Sequence, residues 1–411
     1  MKNKLYGDGI HDDFPAIQEM IDSGACEISL PMPEKCYLIS KTLIIHSYFK
    51  LKLPRYAEIK LMDGADCFML QNKTVEKYAE RVPDFMDEEA KAAWWFVNEW
   101  SPDKEDACHD FEIEGGIWNF NNKGQTENPI WTHHYDEKKY NGYGMMFYNV
   151  KNFRLSNMTL KDPVNFAVVL DTASYFTVEN IDFDFNYGNP TAVNMDGIHL
   201  DGNCHYGVLR NLKGTCYDDL VALNAHEGHH GDITNITIDG IYAENCHSAV
   251  RLLTVIDKIE NIHITNVHGT FYQYCIGVSK FFPGETLGHY DGLHFDKIYA
   301  SKAERLPVYM KFNSYVFPII WVQGDVKVKN LRIDGVHRIE TDTPVETIHV
   351  GKSEVESLII NDVTQENHTD KGNMPLFVNN GQIGKLKISN IRAGGQSEIV
   401  NNGQIAEIIK D

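Results

Sequence analysis

The feature that most limits how this chain can fold is a short apolar–polar alternation that returns nine times. It reads NFRLSN from Asn152, YFTVEN from Tyr175, YGVLRN from Tyr206, NITIDG from Asn235, NIHITN from Asn261, GLHFDK from Gly292, NLRIDG from Asn330, SLIIND from Ser357 and KLKISN from Lys385. Successive copies start 23, 31, 29, 26, 31, 38, 27 and 28 residues apart. Alternation over about six positions is the period of a strand, and each copy runs into Asn, Asp or Gly. A second short apolar strand follows in several units: Phe166–Asp171, Gly197–Leu200, Leu220–Leu223 and Ala249–Leu253. No single unit can bury its apolar face alone, so the units must stack on one another as a solenoid. Two or three short strands per unit, with almost no helical period between them, predict an all-β fold. The expected architecture is a right-handed parallel β-helix of about nine or more coils. The frame and helix of leucine-rich repeats are absent. The prediction is one domain over 1–411, with regular coils from 150 to 411.

A stack of parallel coils has open ends that need covering. The segment Asp12 to Ile21 reads as a helix for this purpose, within a cap over residues 1–25. It has an acidic N-cap, a proline in its first turn, and Phe14, Ile17, Met20 and Ile21 on one face. Residues 75–104 are polar and helix-favouring, apart from Trp94-Trp95-Phe96 and Trp100. They read as a small helical insertion beside the first coils, its aromatics forming local core or a sugar-stacking wall.

Composition narrows the partners. The formal charge of −20 argues against nucleic acid, whose phosphates would be repelled. It argues only weakly against an acidic sugar polymer, because a local basic site can outweigh net charge. No run of eighteen apolar residues occurs, so no membrane span is expected. The start, MKNKLYGDGIHDD, has no apolar core behind its lysines. The expectation is a cytoplasmic protein, or a secreted or periplasmic one if the chain is a trimmed mature form. Eight cysteines without a CxxC pair read as reduced, buried thiols. No cofactor or metal is expected, and a monomer is the expected state.

The segment DDLVALNAHEGHHGDI, Asp218 to Ile233, carries two competing chemistries. His226-Glu227-Gly228-His229-His230 matches H-E-x-x-H, which binds zinc because a helix places both histidines on one face. Here a strand precedes it, Gly228 and Gly231 interrupt it, and the next strand starts at once. The motif therefore reads as a polar loop between two coils, its histidines at most lining a cleft rim. The carboxylates read differently. Aligning Gly197–Leu200 on Leu220–Leu223 stacks Asp196 on Asp219, one strand spacing of about 4.8 Å away, with Asp218 alongside. Carboxylates this close repel, which raises the pKa of at least one and suits a general acid. The alternative is an Asp-rich stack of turns.

The motifs NMDGI at Asn194 and DDLVAL at Asp218 resemble the NTDG and DDxxAI motifs of the polygalacturonase family, glycoside hydrolase family 28. The opening GDGIHDDFPAIQEMID is similar to the segment that begins many of these β-helix proteins. GMMFYNVKNFRLSNMTLKDPVNFAVVL resembles the coil before the catalytic ones. The resemblance runs from about Tyr6 to Lys280 and implies an inverting hydrolase. Asp218 would be the acid protonating the leaving oxygen, with Asp196 and Asp219 holding and deprotonating the attacking water. Inversion places acid and base about 6.5–9.5 Å apart. Departures are clear: the family's GHG motif reads Cys246-His247-Ser248, and its RIK motif is similar only to Gly277-Val278-Ser279-Lys280, without the arginine. His199 stands where an aspartate is common.

Strand alternation supplies a partial replacement. With Ile198, Leu200, Val221, Leu223, Val250 and Leu252 inward, His199, Ala222 and Arg251 point outward. Arg251 is the candidate for gripping a substrate acid or hydroxyl, its alternative role being a surface ion pair. His199 and His247 are candidates for orienting a carboxylate or binding sugar hydroxyls, and Lys280 for substrate binding. Asp196 and Asp219 share the parity of inward residues, so they face a groove only if the chain bends at the strand start. The expected function is inverting, exo-acting hydrolysis of a pectin-related or other uronide-containing oligosaccharide or polysaccharide. The rivals are a β-helix polysaccharide lyase with Ca²⁺, and a non-catalytic carbohydrate-binding or tailspike-like solenoid.

Overall fold

The computed structural model describes residues 3–75, 107–127, 142–281, 286–310, 315–396 and 398–410. Trp94, Trp95, Phe96 and Trp100 lie outside the described residues. The fold is nearly all-β, with 56% of residues in strands and 5% in helices, and the strands pair in parallel. It forms two compact units, Met1–Gly207 with Glu227–His230, and Val208–His226 with Gly231–Asp411.

In the first unit two inward rows build the core. Phe49, Phe111, Phe153 and Phe176 stand in register on successive strands. Their rings stack, with centroids 5.0 Å apart for Phe111–Phe153 and 5.5 Å for Phe153–Phe176. Ile28, Leu51, Ile113, Leu155 and Val178 form the parallel row beside them. The coils thus begin well before residue 150. Their early strands, Glu27–Ser29 and Phe49–Lys52, are too short to display the full alternation. A third row, Leu43, Leu70, Met145, Val168 and Ile198, is fully buried and ends on the strand that carries His199.

The helix is Phe14–Ile21, with a proline in its first turn. Ala16, Ile17 and Ile21 are its buried face, whereas Phe14 and Met20 are half-buried. Asp13 occupies the N-cap position but makes no capping bond to the helix. Its carboxylate instead accepts from the N–H groups of Tyr6, Gly7 and Leu38, and burial raises its pKa despite them. Gln18 closes the end of the stack. Its side-chain amide donates to the Ile44 carbonyl at 3.0 Å and accepts from the Ile44 N–H at 2.9 Å. One side chain thereby satisfies a backbone donor and acceptor that an edge strand would leave open.

In the second unit the repeat predicted from the sequence falls into register. Ile236, Ile262, Leu293, Leu331, Leu358 and Leu386 form one inward row, and Ile238, Ile264, Phe295, Ile333, Ile360 and Ile388 the next. Nearly all are fully buried, each contributing about 1.5–3 kcal/mol of apolar burial. The last residue of every one of the nine copies has a positive φ. These are Asn157, Asn180, Asn211, Gly240, Asn266, Lys297, Gly335, Asp362 and Asn390. Each copy therefore ends in a left-handed corner within a longer strand, a conformation Gly adopts freely and Asn and Asp tolerate. That is the physical reason the repeat ends as it does. All eight cysteines are free, and five are buried.

Candidate active site

In the second unit, strands Asp219–Asn224 and Ser248–Leu253 pair with Asp219 opposite Ser248 and Ala222 opposite Arg251. The register places a hydroxyl beside the buried carboxylate. Ser248 Oγ donates to Asp219 Oδ1, and the Tyr274 hydroxyl approaches the same oxygen at 3.4 Å. Arg251 Nη1 lies 3.6 Å from the other oxygen, Oδ2. Asp219 is 1% exposed, so donors on both oxygens replace the water it has lost. The adjacent Asp218 keeps a side chain 19% exposed, with Oδ1 3.5 Å from His247 Nδ1. Oxygens of Asp218 and Asp219 and a nitrogen of His247 lie within 4.8 Å of one another. Two oxygens at that separation can hold one water between them.

His247 Nδ1 is 3.0 Å from Ser248 Oγ. The single hydroxyl proton of Ser248 points to Asp219, so the imidazole must be the donor to Ser248. Burial, then the positive charges of Arg251, Arg305 and Lys302, hold the His247 pKa well below the ordinary histidine value. The result is a relay of neutral imidazole, hydroxyl and carboxylate. Burial, then the charge of Asp219, raises the Tyr274 pKa well above the usual phenol range, so its hydroxyl stays a donor.

The outward row of this unit runs Ala222, Arg251, Gly277, Trp321, His349 and Val378. The Arg251 guanidinium lies over the Phe281 ring at 4.7 Å. Gly277 leaves its place in the row open, and the Tyr274 ring fills it. A Cβ on Gly277 would meet that ring at 2.7 Å. Lys280 follows the strand Ile276–Ser279 and is 2% exposed, its backbone N–H bonded to Gln323.

Asp196 and His199 belong to the first unit. Asn194, two residues before Asp196, has φ 54°, and Asp196 itself is 3% exposed. His199 stands in the outward row with Met146 and Val169, as expected, but it is enclosed, at 1% exposure. Its Nδ1 meets Asp196 Oδ2 at 2.6 Å, and its Nε2 faces Glu227 Oε2 at 2.9 Å and Asp201 Oδ1 at 3.3 Å. Its ring stacks on Phe166 at 4.1 Å. Burial opposes its protonation, yet the hydrogen bonds to Asp196, Asp201 and Glu227 together raise its pKa well above the ordinary value. Burial also drives Asp201 up to about 7, against the pull of His199. Both ring nitrogens are thus taken by carboxylates, so His199 orients Asp196 and is not open to a sugar hydroxyl.

The segment HEGHH forms no helix, as predicted from its glycines. It does more than line a rim. Glu227 reaches His199, and His229, 1% exposed, bonds Asp171 at 2.9 Å and stacks on Tyr148.

The second unit therefore brings Asp218, Asp219, His247 and Arg251 together, and the first brings Asp196 and His199 together. The sequence reading missed Ser248 and Tyr274, and Asp201 and the role of Glu227. Extending the strand alignment by one coil would have placed Ser248 on Asp219. A glycine in an outward row was the one mark of Tyr274. Among the described residues, ligand-type atoms gather within 4.8 Å in three groups: His199, Asp201 and Glu227; Asp218, Asp219 and His247; and His263, His294 and Asp296. Each has a donor set that a divalent cation could accept.

Residues 106–250 match the family model described as glycosyl hydrolases family 28. Among curated proteins none matches the chain. Solved structures share the fold at low identity. A family 28 exopolygalacturonase of Yersinia enterocolitica matches with a TM-score of 0.60 and 12% identity, over 98% of this chain and 76% of that one. A hyperthermoactive exopolygalacturonase of Thermotoga maritima gives 0.53 and 12%, over 98% and 89%. PfbA, a surface adhesin of Streptococcus pneumoniae, gives 0.52 and 15%, over 99% and 91%. The matched segment contains Asp196, Asp218, Asp219 and His247 and ends one residue before Arg251. In sequence over residues 106–250, and in its right-handed parallel β-helix, this chain is similar to the glycosyl hydrolases of family 28.

Proposed function

We propose that this protein hydrolyses glycosidic bonds in a uronide-containing, pectin-related oligosaccharide, with Asp218 as general acid. The observation that carries the reading is the unequal pair Asp218 and Asp219. One carboxylate is fully buried among donors from Ser248, Tyr274 and Arg251, and the other is open to a substrate. Asp219, held in place, orients and deprotonates water; Asp218 protonates the leaving oxygen. Its neighbour His247, kept neutral, adds no positive charge to compete for that proton. Asp196 is bonded to His199 within the first unit, and a role for it toward water is what the family resemblance alone implies. Similarity to exopolygalacturonases favours action from a chain end, and the family resemblance implies inversion at the anomeric carbon. The gap within the Asp218–Asp219 pair is shorter than the about 6.5–9.5 Å usual between inverting acid and base. The product anomer is therefore the informative measurement.

The test is a panel of pectic oligosaccharides and aryl glycosides, with the first-formed anomer read by NMR. Asp218→Asn is expected to lower kcat by about 10²–10⁴-fold, the contribution of a positioned acid. Full activity in that variant would overturn the assignment, and a retained anomer would overturn the inverting mechanism. An unsaturated uronide product would instead identify a lyase. Binding without any turnover by the wild-type protein would identify a carbohydrate-binding solenoid.

A further inference from the structure

We infer that the outward row beyond Arg251 is a subsite for a neutral pyranose, floored by Trp321 and Tyr274. The inference rests on the carbohydrate reading of the same site. Tyr274 lies over Gly277, and Trp321 is the next outward residue along the row. The two rings stack at 5.5 Å and 24°, and Phe317 props the indole edge-on at 4.9 Å. Trp321 is half-buried, whereas Tyr274 and Phe317 beneath it are buried. The floor is therefore rigid and presents its indole on the same side of the strands as Arg251.

The floor has polar groups on both sides. Arg251 precedes it in the row. His349 follows it, its ring bonded to Glu346 at 2.6 Å and Asn380 at 3.2 Å, so the polar groups open on that side are the Glu346 carboxylate and the Asn380 amide that hold the ring. An apolar ring face between hydrogen-bonding flanks is the layout that recognises a sugar, apolar on its C–H face and polar at its rim. The floor is also continuous with the carboxylates, because the Tyr274 hydroxyl approaches Asp219 at 3.4 Å. Trp321 lies three strands on from Ala222, about 14 Å at 4.8 Å per strand, so it serves a sugar some way from the cleaved bond.

The charge of that sugar follows from the rings. The face of an aromatic ring is the negative side of its quadrupole and repels a carboxylate. Gly277 and Trp321 themselves carry no charge, and the neighbouring cations lie over other rings, Arg251 over Phe281 at 4.7 Å and Arg305 over Phe317 at 6.0 Å. A neutral pyranose is thus favoured here over a uronate, and the preferred ligand is a mixed oligosaccharide carrying both kinds of unit.

The experiment uses the full chain with Trp321→Ala and Trp321→Phe, against an all-uronate oligosaccharide and a mixed one of equal length containing neutral sugars. The expected result is a KM for the mixed ligand about tenfold higher in Trp321→Ala, with kcat changed less and most of the loss recovered in Trp321→Phe. The all-uronate ligand should show a smaller rise. Direct binding of both ligands to Asp218→Asn, measured by calorimetry with and without Trp321→Ala, separates the two proposals. If Asp218→Asn binds the mixed ligand through Trp321 but the wild type never cleaves it, the hydrolase reading fails and the subsite stands. Equal binding with and without Trp321, or stronger binding of the all-uronate ligand through it, overturns the subsite.

Discussion

Lys302 lies behind the site as a surplus buried cation, and its removal should change how stability depends on pH. Arg338 and Glu340 are both fully enclosed and paired, with Arg338 Nε 2.9 Å from Glu340 Oε2. The same oxygen accepts the Lys302 backbone N–H at 3.2 Å. Glu340 is thus bonded to one cation, Arg338, and to a backbone amide, while the Lys302 amine, 3% exposed as a residue, donates to the Gln273 carbonyl instead. Burial, then the charge of Arg338, lowers its pKa from 10.5 to about 7, in spite of Glu340. The unfolded chain holds this proton up to its ordinary value, whereas the folded chain releases it near 7. Between those limits the unfolded state binds more protons, so this group makes stability rise with pH. Below 7 its full penalty applies. The shift of about 3.5 units corresponds to roughly 5 kcal/mol, gained at about 1.4 kcal/mol per pH unit. Lys302→Met keeps the length of the side chain and removes the proton. Urea unfolding at pH 6, 7, 8 and 9 should show the wild type gaining on the variant by about 2–3 kcal/mol from pH 7 to 9. The variant should be the more stable protein at pH 6. Parallel curves for the two proteins would refute the argument.

Other perturbations test the remaining physical claims. His199, with its pKa raised, stabilises the fold fully below its unfolded value of about 6.5 and loses that contribution as pH rises through its folded value; His199→Gln should flatten the fall of stability on the alkaline side, read by urea unfolding. Ser248→Ala removes the donor between His247 and Asp219, and kcat should fall about tenfold to a hundredfold with circular dichroism unchanged, in line with about 1.5–3 kcal/mol for a bond to a charged group. Lys297 is the one corner residue of the nine that is neither Gly, Asn nor Asp, and its Asp296 contact at 3.5 Å is largely solvent-exposed on the lysine side. Lys297→Asn should raise the urea midpoint by the equivalent of about 0.5–1 kcal/mol, and a lowered midpoint would count against the corner explanation.

The β-helix was legible because two independent constraints fall on the same six residues. The inward pairs, such as Ile236 and Ile238 or Leu331 and Ile333, must be apolar, and the residue that ends each copy must accept a left-handed corner. A pattern written twice survives substitution of either part, as GLHFDK shows by ending in lysine. The early coils were not legible, because Ile28 and Leu51 sit in strands of three and four residues, and Ile113, their partner in register, follows Leu51 only after a long separation in sequence. The inward and outward rows of the site were equally readable: Val221, Leu223, Val250 and Leu252 are all fully buried, and Arg251 is outward. Tyr274 was hidden because it enters from the chain before its strand and occupies a place whose own residue is glycine.

Glycine also decides the fate of HEGHH. Gly228 has φ 59°, and a Cβ there would lie 2.3 Å from Asp201 Oδ2 and 2.5 Å from Asp171 Oδ2. Only a residue without a side chain can bring the loop down between two carboxylates. Glu227 on one side then reaches the His199 ring, and His229 on the other reaches Asp171. The same glycine that rules out a zinc-binding helix is what lets its two neighbours enter the buried charge network of the first unit. A metal-motif reading fixes attention on the histidines, but the chemistry of the segment is set by the residue between them. Its contribution is to hold His199 between Glu227 and Asp196, and so to fix the carboxylate of Asp196, rather than to bind an ion through a pair of helical histidines.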